Sequence, residues 1–493
     1  MLKKICRAVV GVIVLLSVFS GALAQTFKEK RLEKIRADLG EKVAKGEAAS
    51  LAVGVIRNGK TIWKEGFGWA DKERKIRATP ETVYPLASIS KSLTATGLWV
   101  LAEDGKIDID APVEKYLRSA RLTYYHNQPE ELKVRHLLYM EAGIPHQLEY
   151  FYDDETDQIP PLPERINRYG FTAFPAGKVH NYSNFSFSIV EQIAADVSGR
   201  GFSDLMRQEV FRPLGMKNTF PERPAKNVFA RGYGADGELV PANRFEPRGG
   251  AGMYSSVDDL LRYGLCHLGR KGLLKKRTID LMHSTDPASP NPYYANGWGV
   301  LPMRGGRISL LSNGAIAGAA GTVLVIPTDD LVIVCLTNTT LGNDYTDQIA
   351  FQIAGALLDG YGQDLDQLMK KVGPFFESRP FSGDDSLTGN WAGEIKTHQG
   401  KFPIALRFTS EGKILAKIAD QTETEVTDPS LESGLINGYF DGRIPTEEAL
   451  RRPHRVLFSL MRRENRLFGV ISAQALGGRP KFLLPYYVEL VKK

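Results

Sequence analysis

Cysteine is scarce in this chain, with three in 493 residues. Cys6 sits close to the amino terminus, so only Cys266 and Cys335 remain in the body of the protein and no disulfide framework can be built. Histidine is sparse as well, eight scattered residues with no H-E-x-x-H, and no C-x-x-C is present. Metal ligands at a recognisable spacing are therefore missing, and neither a metal nor another cofactor is expected. Neither sign of charge dominates. The formal net charge is +6, and three of the positive charges, Lys3, Lys4 and Arg7, lie at the very start. The rest interleave with acids, as in Lys28-Glu29-Lys30-Arg31-Leu32-Glu33-Lys34, which is a solvated helix face and gives no reason to expect nucleic acid as a partner. The nucleophile turn G-x-S-x-G is absent, which weighs against an α/β-hydrolase. No repeat of fixed period is found.

Long apolar runs are missing too. The one from Ala8 to Phe19 is shorter than the roughly twenty residues of a membrane span and closes on Ala22-Leu23-Ala24. Residues 1–24 are expected to be a signal peptide cut after Ala24, which implies a secreted or periplasmic bacterial protein with no stable membrane anchor after cleavage. A hydrophobic fraction of 43% and a charged fraction of 24% suit a folded, soluble remainder.

Apolar residues at helical spacing, Leu32, Ile35, Leu39 and Val43, predict a helix from Phe27 to about Lys45. Two strands, Leu51 to Arg57 and Thr61 to Gly66, flank the hairpin signal Asn58-Gly59. A helix is expected from Ser88 through Leu101, and a second hairpin joins Thr322 to Ile326 and Leu331 to Cys335 through Pro327-Thr328-Asp329-Asp330. A last helix, about Asp344 to Leu358, completes the first domain, 25–370. Strands from its two ends can pair into one antiparallel sheet, with the helical middle as a separate lobe. A Pro, Gly and Ser-rich linker, 371–386, precedes a β-rich domain, 387–493. Its expected strands are Gly389 to Lys396, Phe402 to Phe408, Ile414 to Ile418, Val456 to Met461, Arg466 to Ile471 and Phe482 to Val491.

An amide or ester hydrolase without a metal needs an activated nucleophile, a proton carrier and donors for the oxyanion. Ser88-Ile89-Ser90-Lys91 opens a helix, and residues three apart share one helix face, so the Lys91 amine can reach the Ser88 hydroxyl. A free lysine, with a pKa of about 10.4, is a poor base at neutral pH, but burial and nearby positive charge lower it. The rival reading of Ser88 is a helix cap. The same S-x-x-K spacing recurs at Ser410-Glu411-Gly412-Lys413, where the glycine reads as a hairpin turn. The second element is Tyr182-Ser183-Asn184. A phenol beside an ammonium is expected to have a lowered pKa and pass protons, while the Asn184 amide can orient the lysine and bind a substrate carbonyl. Y-x-N occurs also at Tyr125-His126-Asn127 and Tyr294-Ala295-Asn296, so the tripeptide alone decides nothing.

Ordered motifs carry more weight. Ala87-Ser88-Ile89-Ser90-Lys91-Ser92, Phe174-Pro175-Ala176-Gly177 leading to Tyr182-Ser183-Asn184, Phe211-Arg212-Pro213-Leu214-Gly215-Met216, Gly249-Gly250-Ala251-Gly252-Met253-Tyr254 and Gly297-Trp298-Gly299-Val300 resemble the class C β-lactamase and D-alanyl-D-alanine carboxypeptidase superfamily over roughly Phe27 to Asp359. The resemblance implies an α/β (α+β) fold, an antiparallel sheet with a helical lobe, followed here by a small all-β barrel or sandwich. It also implies Ser88 as nucleophile, Lys91 and Tyr182 as proton carriers, Asn184 on the substrate, and an oxyanion hole from the backbone N–H groups of Ser88 and Ala315. The family's third motif, usually Lys or His, then Ser or Thr, then Gly, falls on Ser312-Asn313-Gly314. The cation that helps hold a substrate carboxylate has become Ser312; Arg307, close by in sequence, is a candidate substitute, and the rival reading of an Arg in a polar loop is a solvated side chain. Met140-Glu141-Ala142-Gly143 also departs from the family pattern, and Glu141 reads as a turn residue.

These readings converge on an exported serine hydrolase acting through an acyl-enzyme on an ester, a peptide or other amide, or a lactam. The alternative is a catalytically impaired binding or regulatory protein of the same fold, for which Ser312 argues. The expected partner is a small-molecule or peptide substrate, and nothing in the sequence indicates an oligomeric state. The far domain is expected to add no catalytic group, so residues 25–375 should fold and act alone.

Overall fold

Asn58 and Gly59 both adopt left-handed backbone angles, φ 51° and 71°, as a two-residue type I′ turn demands. They join strands Ser50–Arg57 and Lys60–Asp71. The computed structural model describes residues 28–493 apart from 157, 226–228, 247, 374–376 and 478–480. The expected signal peptide lies outside the described residues, as does part of the expected linker. The second hairpin joins Ala319–Ile326 to Leu331–Thr337, with Asp330 at φ 48° ending the turn. Leu331–Thr337 pairs antiparallel with Ser50–Arg57, Leu51 opposite Thr337, so strands from the two ends of the domain merge in one eight-stranded sheet.

The Ala319–Ile326 and Leu331–Thr337 strands are buried at every position, so both faces of the sheet must be covered. One face packs on the helix at 28–44 and on helices Asn343–Leu357 and Tyr361–Val372, through Leu39, Ile349, Ile353 and Tyr361. The last of these runs into the range expected to be linker. The other face carries the helical lobe. Its central helix begins in two steps, a 3₁₀ turn at Ala87–Ile89 and then an α-helix at Ser90–Glu103. No side chain caps either segment, so Ser88 is not the helix cap of the rival reading.

All six strands expected beyond residue 387 form. Thr427–Glu432 and Leu435–Phe440 form as well, although Asp428-Pro429 and Asn437-Gly438 break the apolar alternation that would have announced them. Together they make an open, curled half-barrel. The second S-x-x-K lies in one of its hairpins, where Gly412 has φ 82° and the Thr409 N–H bonds the Lys413 carbonyl at 2.9 Å.

The two domains do not pack as independent bodies. Phe482–Lys492 pairs with Leu148–Tyr152 of the first domain, Phe482 opposite Glu149. Phe171, Phe174 and Val179 share an apolar cluster with Leu435, Phe468, Val470 and Tyr487, and Tyr125 stacks on Tyr487 with ring centroids 3.7 Å apart. Phe482–Lys492 pairs with Gly389–Thr397 only from Tyr487 onward, so its first residues need such a partner and the apolar face of the half-barrel needs such cover. Among the described residues no helix is long and apolar enough to cross a membrane.

Candidate active site

The close approach of a strand to the 3₁₀ turn builds the site. Strand Ile308–Ile316 passes so near that a Cβ on Gly314 would lie 2.4 Å from the Ser88 backbone nitrogen, and only glycine leaves that space. On the other side of the contact Ala87 takes φ 47°, a conformation costly for a residue with a Cβ. Ser88 is thereby held in front of its helix with its hydroxyl free for side-chain partners. The Lys91 amine lies 3.0 Å from Ser88 Oγ, and the Tyr182 hydroxyl lies 2.7 Å from the same atom. Asn184 is the first residue of helix Asn184–Ser198, which Ser183 caps by accepting from the Ser186 N–H at 3.0 Å. That cap sets Asn184 Oδ1 at 2.5 Å from Lys91 Nζ, and the Gly250 carbonyl accepts from the same amine at 2.7 Å.

Lys91 is 1% exposed, and its three hydrogen-bond partners are all uncharged. Burial alone drives its pKa well below the ordinary 10.5, because desolvation penalises the ammonium and no carboxylate restores it. A neutral amine has two N–H groups and one lone pair. Two carbonyl oxygens, which can only accept, occupy both N–H groups, and the lone pair is left for the one neighbour able to donate, the Ser88 hydroxyl. Tyr182 departs from expectation. Desolvation of its hydroxyl pushes it up to about 12, only partly offset by the Ser88 bond, although 42% of the residue is accessible. The lowering expected from a neighbouring ammonium needs a charged Lys91, and burial works against that charge. Tyr182 accordingly keeps its proton near neutral pH.

Ser312 is 1% exposed and donates to Ser92 Oγ at 3.0 Å, turned onto helix Ser90–Glu103. Asn313 points the opposite way, as strand alternation requires, and donates to Asp347 at 2.6 Å. Asp347 also accepts from Thr322 at 2.6 Å, and burial raises it to about 6. Ala315 is exposed beyond Gly314. Arg307 does not take the place of the missing cation: its guanidinium binds Asp329 at 2.9 Å and Asp364 at 3.5 Å. Glu141 is buried and accepts from the Ser289 hydroxyl, which makes it a turn residue with a buried bond. The other two Y-x-N tripeptides are structural. Asn296 accepts from the Trp99 indole at 2.8 Å and Asn127 from the Ala176 N–H at 2.9 Å.

One neighbour of the cluster, His146, has no signature in the sequence. The half-buried His146 ring accepts the Asn184 N–H on Nδ1 at 3.1 Å, 5.9 Å from the Tyr182 ring between centroids. Burial lowers it to about 4, so it is a neutral acceptor that holds the helix start. His146 also lines a cavity of about 330 Å³, with Phe174 and Asn181 on its near side and Asn437, Tyr439 and Ser472 of the half-barrel on its far side. Among the described residues no cluster of three His, Cys, Asp or Glu groups could hold a metal ion.

Residues 35–358 match the Beta-lactamase family. The chain is 24% identical over 322 residues to the unguisins hydrolase ungD' of Aspergillus campestris, covering 60% of this chain and 59% of that one. It spans about three fifths of the length of the curated relatives it matches. A class C β-lactamase from Rhodobacter sphaeroides superposes with a TM-score of 0.54 at 22% identity, over 66% of this chain and 99% of its own. The octameric penicillin-binding protein homologue from Pyrococcus abyssi superposes with a TM-score of 0.57 at 20% identity, over 93% of this chain and 99% of its own. The expected fold, a β-lactamase-like sheet and helical lobe followed by a β-rich domain, is therefore the observed one, and the chain belongs to the Beta-lactamase family of serine hydrolases.

Proposed function

We propose that the protein hydrolyses esters or amides through an acyl-enzyme on Ser88. The observation that carries this reading is the saturation of both Lys91 N–H groups by Asn184 and Gly250, which leaves a neutral amine's lone pair for the Ser88 hydroxyl. Ser88 Oγ attacks the acyl carbon as its proton passes to Lys91. The backbone N–H groups of Ser88 and Ala315 receive the oxyanion. The carbon–leaving-group bond then breaks, Tyr182 donates its proton to the departing atom, and the Lys91 ammonium returns one to the phenolate. Water releases the acid by the same route in reverse.

Substrate choice follows from Ser312 and the domain interface. With a buried hydroxyl at position 312 and Arg307 committed to two carboxylates, a free substrate carboxylate gains little, which favours neutral esters and amides over β-lactams and terminal D-alanine peptides. The cavity of about 330 Å³ between the domains has room for part of a substrate beyond the scissile bond. The proposed division is a signal peptide at 1–24, a hydrolase domain to about 370 and the half-barrel from 387, with the enzyme exported to the periplasm or beyond.

The test is Ser88→Ala with an activated ester and a fluorophosphonate probe. Hydrolysis and labelling should both vanish while thermal unfolding changes by no more than about 1 kcal/mol, the usual net worth of one hydroxyl bond. A wild-type chain that never labels would instead support a binding protein that has lost turnover, and labelling that survives in Ser88→Ala but not in Ser410→Ala would move the nucleophile.

A further inference from the structure

The Gly250 carbonyl that fixes one N–H of Lys91 belongs to a short turn, and that turn is itself held by a buried carboxylate. Glu191 lies on helix Asn184–Ser198, two turns beyond Asn184, with 2% of its side chain accessible. Its Oε2 accepts the Gly249 N–H at 2.7 Å, and its Oε1 lies 3.2 Å from Arg248. The Gly249 carbonyl in turn accepts from Thr94 on the nucleophile helix at 2.8 Å. A Cβ on Gly249 would meet Glu191 Oε2 at 3.1 Å, and one on Gly250 would meet the Asn184 carbonyl at 2.8 Å. The turn is therefore pressed against this helix, which supplies Lys91 with one acceptor directly, Asn184 Oδ1, and with the second through Glu191.

Resting on the assignment of Ser88 and Lys91 above, we propose that Glu191 is a positioning residue for acylation, whose carboxylate form holds the Gly249-Gly250 turn so that the Gly250 carbonyl stays on the Lys91 amine. A carboxylate accepts a backbone N–H about twice as strongly as a neutral group does. A protonated Glu191 would also leave the Arg248 charge one partner short, with Glu222 at 3.4 Å and Glu246 at 3.8 Å still beside it. Loss of the turn's anchor frees the Gly250 carbonyl to swing, and displacements of about 1 Å at a reacting group cost up to 10²-fold in rate.

The charged groups around Glu191 place this switch in an accessible range. Burial raises its pKa most. Arg248 opposes that, Glu246 adds to it, and the Gly249 N–H and Arg165 oppose it again, for a value of about 7. Arg165 faces Glu191 while itself paired to Glu246 at 3.2 Å and Glu149 at 3.5 Å. Since the carboxylate is the competent form, acylation should fall as the pH drops through 7.

The experiment follows fluorophosphonate labelling rates of the full chain from pH 5 to 9, with Ser88→Ala as the blank. Glu191→Gln keeps the shape and an acceptor but loses the charge. It should be roughly tenfold slower than wild type at pH 8, the equivalent of about 1.4 kcal/mol, and should lack the wild-type bend near 7. Arg248→Gln removes the cation that lowers Glu191 and should move the bend upward by about one pH unit or more. A purely structural Glu191 would lower the unfolding temperature of both variants and leave the bend in place. An unmoved bend in either variant overturns the proposal. Labelling of Ser88→Ala would instead overturn the assignment of the nucleophile, a distinct result.

Discussion

Tyr182→Phe separates proton donation from every other contribution at this site. The substitution keeps the ring, which lies with its centroid 4.7 Å from the Lys91 amine, and deletes only the hydroxyl 2.7 Å from Ser88 Oγ. That bond is worth a net 0.5–1.5 kcal/mol or so to stability, and with 42% of Tyr182 accessible the lower end applies. General acid catalysis is worth about 10²–10⁴-fold, or about 2.7–5.5 kcal/mol of barrier, but only where the leaving group must be protonated to depart. An anilide or alkyl amide should therefore lose the full factor. A nitrophenyl ester of the same acyl group, whose leaving group departs as a stable anion, should lose about tenfold at most. Because Tyr182 is pushed up to about 12, it stays protonated from pH 6 to 9, and the loss on the amide should not vary with pH in that window. The assay is kcat/KM on the matched amide and ester, with thermal unfolding alongside. Equal losses on both substrates would refute the role of donor. A loss that tracked pH between 6 and 9 would mean that Tyr182 titrates there and works as a base.

Ser312→Lys should improve acylation by a penicillin relative to an uncharged ester by about tenfold, the difference between a neutral and a charge-assisted hydrogen bond, at some cost in stability because residue 312 is 1% exposed. A wild-type enzyme that already strongly prefers carboxylate substrates, and keeps that preference in Arg307→Ala, would show that another cation binds them. Removing everything after residue 372 uncovers Phe171, Phe174 and Val179, each worth about 1.5–3 kcal/mol when fully buried. Their sum rivals the whole stability of a typical domain, about 5–15 kcal/mol. The truncated chain is thus expected to lose both cooperative unfolding and esterase activity, and a soluble, active fragment would establish that the first domain stands alone.

Local chemistry was legible in the amino-acid order. Asn58-Gly59 and Pro327 to Asp330 announced their hairpins because turn geometry depends on a few adjacent residues. The strands after Gly389 declared themselves by alternation. Ser88 and Lys91 could be paired because three residues along a helical path is a distance that sequence fixes by itself. The strands at Thr427 and Leu435 escaped notice for the converse reason: proline and glycine broke the local pattern, and pairing with neighbouring strands restored it.

The tertiary structure decided the protonation states and what supports them. The proposal that Lys91 acts as a base rests on Asn184, 93 residues away, and Gly250, 159 residues away, which accept hydrogen bonds from its amine in a dry site. The same dryness reversed the expected direction for Tyr182. Arg307 looked available until Asp329 and Asp364 closed on it, and His146 and Glu191 carry no spacing that points to the site. The half-barrel looked separable because nothing in the order of residues shows that Phe482 will pair with Glu149. Desolvation, hydrogen-bond saturation and charge pairing depend on what surrounds a group in space, and those surroundings exist only once distant segments have met.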